Sequence, residues 1–244
     1  MESFEGCPLK WKLHYIDGEQ ENDTWYSNYG SLMHEIIDMY YKGTLKQDEM
    51  VMYFLSSFRN RVVGRPPKPD TITEYITCGV SYLSEFKPLP FKMIETEKEI
   101  DFSMGGMNFV GIIDFIGETG DGIVIIDHKS RKLKPRSNRK KPTKTDLELD
   151  EMERQLYLYS EWVRQKYGAP PVQIGFNCFR NQQLIVEDFS PDKFEEAKSW
   201  ACNTINGIAD EEDFDGDYEW FKCAYLCGYS DRCEEYQDAM EEFR

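Results

Sequence analysis

The sequence predicts an α/β fold, and three observations carry that prediction. Two turn signals, Gly105-Gly106 and Gly120-Asp121, each join apolar runs into a hairpin. Stretches with helical apolar spacing stand on both sides of those hairpins. Beyond them, residues 172–179 and 184–189 read as two further strands, after which Ser190-Pro191 opens a helix reaching to about Ile208. The order is helices, three strands, helix, two strands, helix.

Taken in turn, residues 31 to about 62 and 70 to 87 have helical spacing, separated by Gly64-Arg65-Pro66-Pro67-Lys68-Pro69. The alternating stretch Ile94 to Phe102 runs into Met104-Gly105-Gly106-Met107. With the two glycines as the loop, Met104 pairs with Met107 and Glu97 falls opposite Asp114. With Gly120-Asp121 as the second loop, Thr119 pairs with Gly122, and counting back sets Asp114 opposite Asp127. Strand alternation then puts Asp127 and Lys129 on one face. A helix over Asp146–Tyr167 carries Leu149, Met152, Leu156, Tyr159 and Val163 along one side, with Gln155 and Tyr159 one turn apart. The acidic run Asp210–Glu219 reads as a solvated connector, since it lacks the spacing and central glycine of a calcium loop.

Two carboxylates held that close repel one another unless a cation or a shared proton lies between them, and acids are depleted from strands. The expected occupant is a divalent metal with oxygen ligands, which makes the patch a site for phosphodiester hydrolysis, with Glu97 as a further acid beside it.

Composition sharpens this. The 244 residues carry a net charge of -16, yet residues 129–144 hold nine Lys or Arg and no acid, leaving 20 basic against 45 acidic side chains elsewhere. This basic, proline-punctuated segment is expected to be a mobile loop, with Arg136, Arg139, Lys140 and Lys141 tracking a DNA backbone. No apolar run approaches a membrane span, and a cytoplasmic location is expected. Seven cysteines in such a chain argue for core thiols and ligands rather than a disulfide framework. Cys78, Cys178 and Cys202 read as core. Cys7, Cys223, Cys227 and Cys233 form a second group able to enclose an iron–sulfur cluster or Zn²⁺ and to fasten the chain ends together.

Asp127-His128-Lys129 with the preceding Asp114 resembles the D-x-K element of the PD-(D/E)XK nuclease superfamily. Gly30-Ser31-Leu32-Met33-His34 resembles the G-x-x-x-H element of its RecB-like exonuclease branch, which includes the Cas4 proteins. Gln155-Leu156-Tyr157-Leu158-Tyr159 resembles that branch's Q-x-x-x-Y element, and the split cysteine set resembles its iron–sulfur ligands. The resemblance implies a restriction-endonuclease-like core with a mixed central β-sheet flanked by helices. It implies one nuclease domain over residues 1–244: a helical region with the N-terminal cysteine (1–90), a catalytic core (91–190), and a helix with a cysteine-rich tail (191–244).

It also implies that His34, Asp114, Asp127 and the His128 carbonyl hold Mg²⁺ or Mn²⁺. Asp114, Asp127 and Lys129 are then the catalytic groups, and Gln155 and Tyr159 contact the substrate. The cysteines would hold a 4Fe–4S cluster, although C-x3-C-x5-C departs from the usual C-x2-C-x5-C and keeps Zn²⁺ open. The expected activity is metal-dependent exonucleolysis of DNA single strands or ends, in recombination, repair or phage DNA processing. A Cas4-like nuclease of CRISPR adaptation and a catalytically silent DNA-binding or assembly subunit are the alternatives. No phosphate-binding G-x-x-x-x-G-K-[ST] loop occurs, so a helicase or recombination partner would be a separate chain.

Overall fold

The structure, a computed structural model, describes residues 1–242. Two short helices open the chain, α1 (Glu2–Gly6) and α2 (Pro8–Tyr15). Cys7 caps α2, its sulfur accepting from Lys10 N at 3.5 Å, while Pro8 sits in the first turn where no N–H is missed. The next helix, α3 (Trp25–Tyr41), begins at a capping box in which Thr24 and Ser27 exchange hydrogen bonds. It is followed by α4 (Met50–Arg61) and α5 (Pro69–Ser84). The helical stretch read from residue 31 to about 62 is thus two helices. Gly43, at φ +71°, and a short turn at Gln47–Glu49 reverse the chain between them, which lets Phe54 and Phe58 of α4 pack on Tyr29 of α3.

Strands β1 (Lys92–Met104), β2 (Met107–Glu118) and β3 (Ile123–Lys129) follow, then α6 (Lys144–Tyr167), β4 (Gln173–Cys178) and β5 (Gln183–Asp188). The chain continues through α7 (Pro191–Asp210), α8 (Trp220–Tyr225) and α9 (Glu234–Glu242). The five strands lie side by side in chain order, all antiparallel except β3 with β4, so the sheet is mixed and α6 is the crossover that the parallel pair requires. Val124, Ile125 and Ile126 of central β3 have no exposed surface, the continuous apolar run of a strand covered on both faces. Ile125 joins Leu156, Val163, Ala197 and Ala201 under α6 and α7, whereas Val124 and Ile126 join Phe115 and Leu89 on the face bordered by Tyr41 of α3.

Both registers read from the turns are present. Met104 pairs with Met107 and Thr119 N–H bonds Gly122 O at 2.9 Å, which sets Glu97 and Asp127 level with Asp114. Simple alternation fails at that level, however. Ile100, Phe102 and Met104 of β1 face α6, yet Thr96 bonds Asp38 of α3 at 2.6 Å. On β2, Ile113 faces α6 and Phe115 faces away from it. Both strands therefore exchange faces at Glu97 and Asp114, and the Lys98–Glu95 ion pair at 2.7 Å spans the exchange. Glu97 adopts φ +46°, a left-handed conformation that costs an L-residue roughly 1–2 kcal/mol.

The basic segment after β3 is not the free loop that its composition suggests. Leu133 is buried and its carbonyl accepts from Asn181 Nδ2 at 2.6 Å. Arg136 reaches Glu153, Asp150 and Glu187 at 2.9–3.1 Å, and Lys193 of α7 meets the same three acids. Asp146 binds Ser137 N and Oγ at 2.6 Å each while capping α6 with Thr143. Arg136, expected to track DNA, is instead engaged by these acids, because buried Glu153 demands a cation that the local run of charge did not reveal. Arg139, Lys140 and Lys141 remain exposed. Cys178 is buried as expected, but Cys78 and Cys202 are only half-buried. No helix among the described residues is long and apolar enough to cross a membrane.

Candidate active site

His34 arrives from α3, Glu97 from β1, Asp114 from β2, and Asp127 to Lys129 from β3. One ligand atom each of His34, Glu97 and Asp114 lies within 4.8 Å of the others. His34 Nδ1 is 3.3 Å from Glu97 Oε1 and 3.6 Å from Asp114 Oδ2, while Nε2 faces the His128 carbonyl at 3.0 Å. The His128 N–H donates to Asp114 Oδ2 at 2.6 Å. Asp127, adjoining Asp114, pairs with Lys129 Nζ at 2.8 Å.

The electrostatics are those of a cation site. Burial, followed by repulsion from Asp127, pushes Asp114 up to about 7, against the pull of His34 and the His128 N–H. Burial opposes a charge on His34, but Glu97 and Asp114 outweigh it and raise its pKa. Partial burial opposes the charge on half-buried Lys129, yet Asp127 and then Asp114 and Glu2 hold it above the ordinary lysine value. His34 with the Asp114 and Asp127 carboxylates and the His128 carbonyl supply nitrogen and oxygen donors suited to Mg²⁺ or Mn²⁺, and Glu97 adds an acid at His34 Nδ1. A positive ion there would offset both the burial and the repulsion that raise Asp114.

A profile of the PD-(D/E)XK nuclease superfamily matches residues 1–234. The chain belongs to the PD-(D/E)XK nuclease superfamily. None of the curated proteins compared matches it. Among solved structures it is similar to a provisionally named exonuclease from Eubacterium rectale, at 13% identity and TM-score 0.49 over 85% of this chain and 77% of that one. It is also similar to SSO0001, at 16% identity and TM-score 0.32 over 93% and 94% of the two chains. The mixed sheet and flanking helices are those of the superfamily, whose members cleave nucleic acid with divalent metals.

In this PD-(D/E)XK nuclease, Gln155 Nε2 donates to Tyr159 Oη at 2.9 Å, so the two residues one turn apart act as a pair. Tyr159 lies across Gly111 of β2, where a Cβ would come within 2.5 Å of the phenol oxygen; only glycine lets the ring in. Burial pushes Tyr159 up to about 12, which keeps it a neutral donor. Glu2 of α1 helps line the cleft beside the pair, and its charge also reaches Lys129.

Two groups escape a reading of motifs. Asn177 of β4, level with His128 in the parallel ladder, donates to Tyr82 Oη at 2.8 Å and contacts His128 Nδ1 at 3.1 Å. The His128 ring is buried and held neutral, its pKa lowered well below the ordinary value by burial and then by His34 and Lys129. It stands at 86° to the His34 ring. A lone amide in the apolar run Ile174-Gly175-Phe176-Asn177-Cys178 was the available signal, and its partner was hidden in the strand register. Glu2 had no signal at all.

The four remaining cysteines lie near the joined chain ends, but among the described residues no three of their sulfurs come within 4.8 Å of one another. Cys7 Sγ accepts from Asp217 N at 3.5 Å, and Cys223 Sγ approaches Asp217 O at 4.0 Å. Burial raises Cys227 and pushes Cys233 up to about 11, with Cys223 contributing to both. The chain ends are fastened around them by Lys222 Nζ to Gly6 O at 2.9 Å, Arg232 to Glu19 at 2.9 Å, and the stacked rings of Trp11 and Phe214.

Proposed function

We propose that this nuclease is a metal-dependent DNA exonuclease of the RecB-like type, acting on single strands or ends. The observation that supports the reading most is the convergence of His34, Asp114, Asp127, Lys129 and the His128 carbonyl, with the Gln155–Tyr159 pair beside them. His34, Asp114, Asp127 and the His128 carbonyl would hold Mg²⁺ or Mn²⁺, which when bound polarises the phosphate and lowers the pKa of its water. Lys129, kept charged by Asp127, orients the attacking water and faces the developing negative charge. Gln155 and Tyr159 donate to the strand next to the cut, and Arg139, Lys140 and Lys141 follow its phosphates. The test compares linear single strands with covalently closed circles in Mg²⁺ or Mn²⁺. Linear DNA is expected to be consumed, circles to resist, and a chelator to stop digestion; equal loss of both substrates rejects end-dependence.

Cys7, Cys223, Cys227 and Cys233 are proposed to hold a 4Fe–4S cluster. The approach of Cys7 and Cys223 to the same residue, Asp217, supports the reading. Anaerobically purified protein should be brown with about four irons per chain. Cys223→Ser should lose the colour and Cys78→Ser should keep it. Colourless protein with stoichiometric zinc rejects the cluster.

A further inference from the structure

Glu97 is the one residue of β1 with a positive φ, and it sits at the level where β1 and β2 exchange faces. Thr96 and Lys98 on either side keep their pairing with Phe115 and Ile113, so the strain is confined to a single residue. Asn or Gly would occupy that conformation more cheaply. At this strained position the Glu97 carboxylate meets His34 Nδ1 at 3.3 Å. The other ring nitrogen, Nε2, faces a neutral carbonyl, that of His128, at 3.0 Å.

Those two neighbours differ in what they can hold. A carboxylate binds an N–H more firmly than a carbonyl does. A carbonyl oxygen can also serve as a cation ligand. With Glu97 present, the last ring proton stays on Nδ1, leaving the Nε2 lone pair beside a carbonyl that can share a metal with it. Without Glu97, Nδ1 keeps only the more distant Asp114 Oδ2, at 3.6 Å, whereas the His128 carbonyl stands 3.0 Å from Nε2. The proton then settles on Nε2, where it blocks the metal.

We propose that Glu97 is a positioning residue, held in a strained left-handed conformation so that its carboxylate fixes the His34 ring with Nε2 presented to the divalent cation. The proposal rests on the metal-dependent reading above and gives Glu97 a role apart from the ligands.

The test compares the wild type with Glu97→Gly and Glu97→Gln by Mn²⁺ titration without DNA, thermal melting, and nitrogen-15 NMR of the imidazoles, of which the chain has three. Glu97→Gly relieves the strain, so its Tm should equal or exceed that of the wild type, while Mn²⁺ affinity falls about tenfold to a hundredfold. Its neutral His34 should change from the Nδ1–H to the Nε2–H form. Glu97→Gln keeps an oxygen for Nδ1–H and should stay nearer the wild type in both affinity and tautomer. Wild-type affinity in Glu97→Gly overturns the proposal. Loss in Glu97→Gln as deep as in Glu97→Gly also overturns it, because Glu97 would then be a direct ligand. A Tm drop in Glu97→Gly with an unchanged tautomer reduces Glu97 to a structural role. If the wild type itself binds no Mn²⁺, the metal-dependent reading fails, and the tautomer comparison still judges the coupling of Glu97 to His34.

Discussion

Alanine at Asp114, Asp127 or Lys129 will each remove cleavage of linear DNA by about a thousandfold or more, since the three act as one unit and losing any member forfeits most of what the unit supplies. Their effects on stability should differ in sign, which separates catalysis from folding. Asp114 is buried with a carboxyl pushed up to about 7, so at pH 8 without metal its charge opposes folding, and Asp114→Ala should melt at or above the wild type. Lys129→Ala leaves Asp127 without its partner at 2.8 Å and should melt lower. The same carboxyl sets a pH dependence. The folded chain keeps its proton over the range from 3.8 to about 7, where the unfolded chain has already lost it, so the metal-free fold loses stability as pH rises through that range. Mn²⁺ must displace the proton, and its affinity should therefore rise about tenfold from pH 6 to pH 8. Full activity in any of the three variants, or a pH-independent Mn²⁺ affinity, contradicts this account of the site.

The parts of the site legible in the sequence were those set by local geometry. A two-residue turn dictates register, so Gly120-Asp121 and Gly105-Gly106 were enough to bring Asp127 and Glu97 level with Asp114. Helical periodicity likewise placed Gln155 and Tyr159 one turn apart, and their hydrogen bond follows. What stayed hidden depends on pairing between distant segments. The parallel alignment of His128 with Asn177 is set by the whole crossover through α6, and no turn residue encodes it. The exchange of faces at Glu97 and Asp114 breaks the period of two on which strand reading relies, and Glu97 is not a residue whose chemistry announces a left-handed backbone. The helices α1 and α2 were missed because each is short and buries no residue fully.

The basic segment shows the same limit at its most consequential, and it divides into two parts that mutation should separate. Nothing in the run from Lys129 to Lys144 distinguishes Arg136 from Arg139, yet Arg136 is held among Asp150, Glu153 and Glu187 while Arg139 is exposed. The Glu153 side chain is only 3% exposed, and Lys193, at 2.7 Å, cannot alone satisfy three acids. Arg136→Ala should therefore cost about 3 kcal/mol, the lower end for leaving a buried charge short of its partner, because Lys193 remains. In a chain of this length that lowers Tm by roughly 6–12 °C. Changing Arg139, Lys140 and Lys141 together to Ser should leave Tm unchanged but reduce the slope of log affinity for single-stranded DNA against log salt by about 2, as three phosphate contacts would. Melting curves and salt titrations on the two variants decide the matter. An unchanged Tm in Arg136→Ala, combined with a flattened salt slope, would return Arg136 to the DNA surface. An unchanged slope in the triple variant would leave the exposed half of the segment as a solvated run of charge.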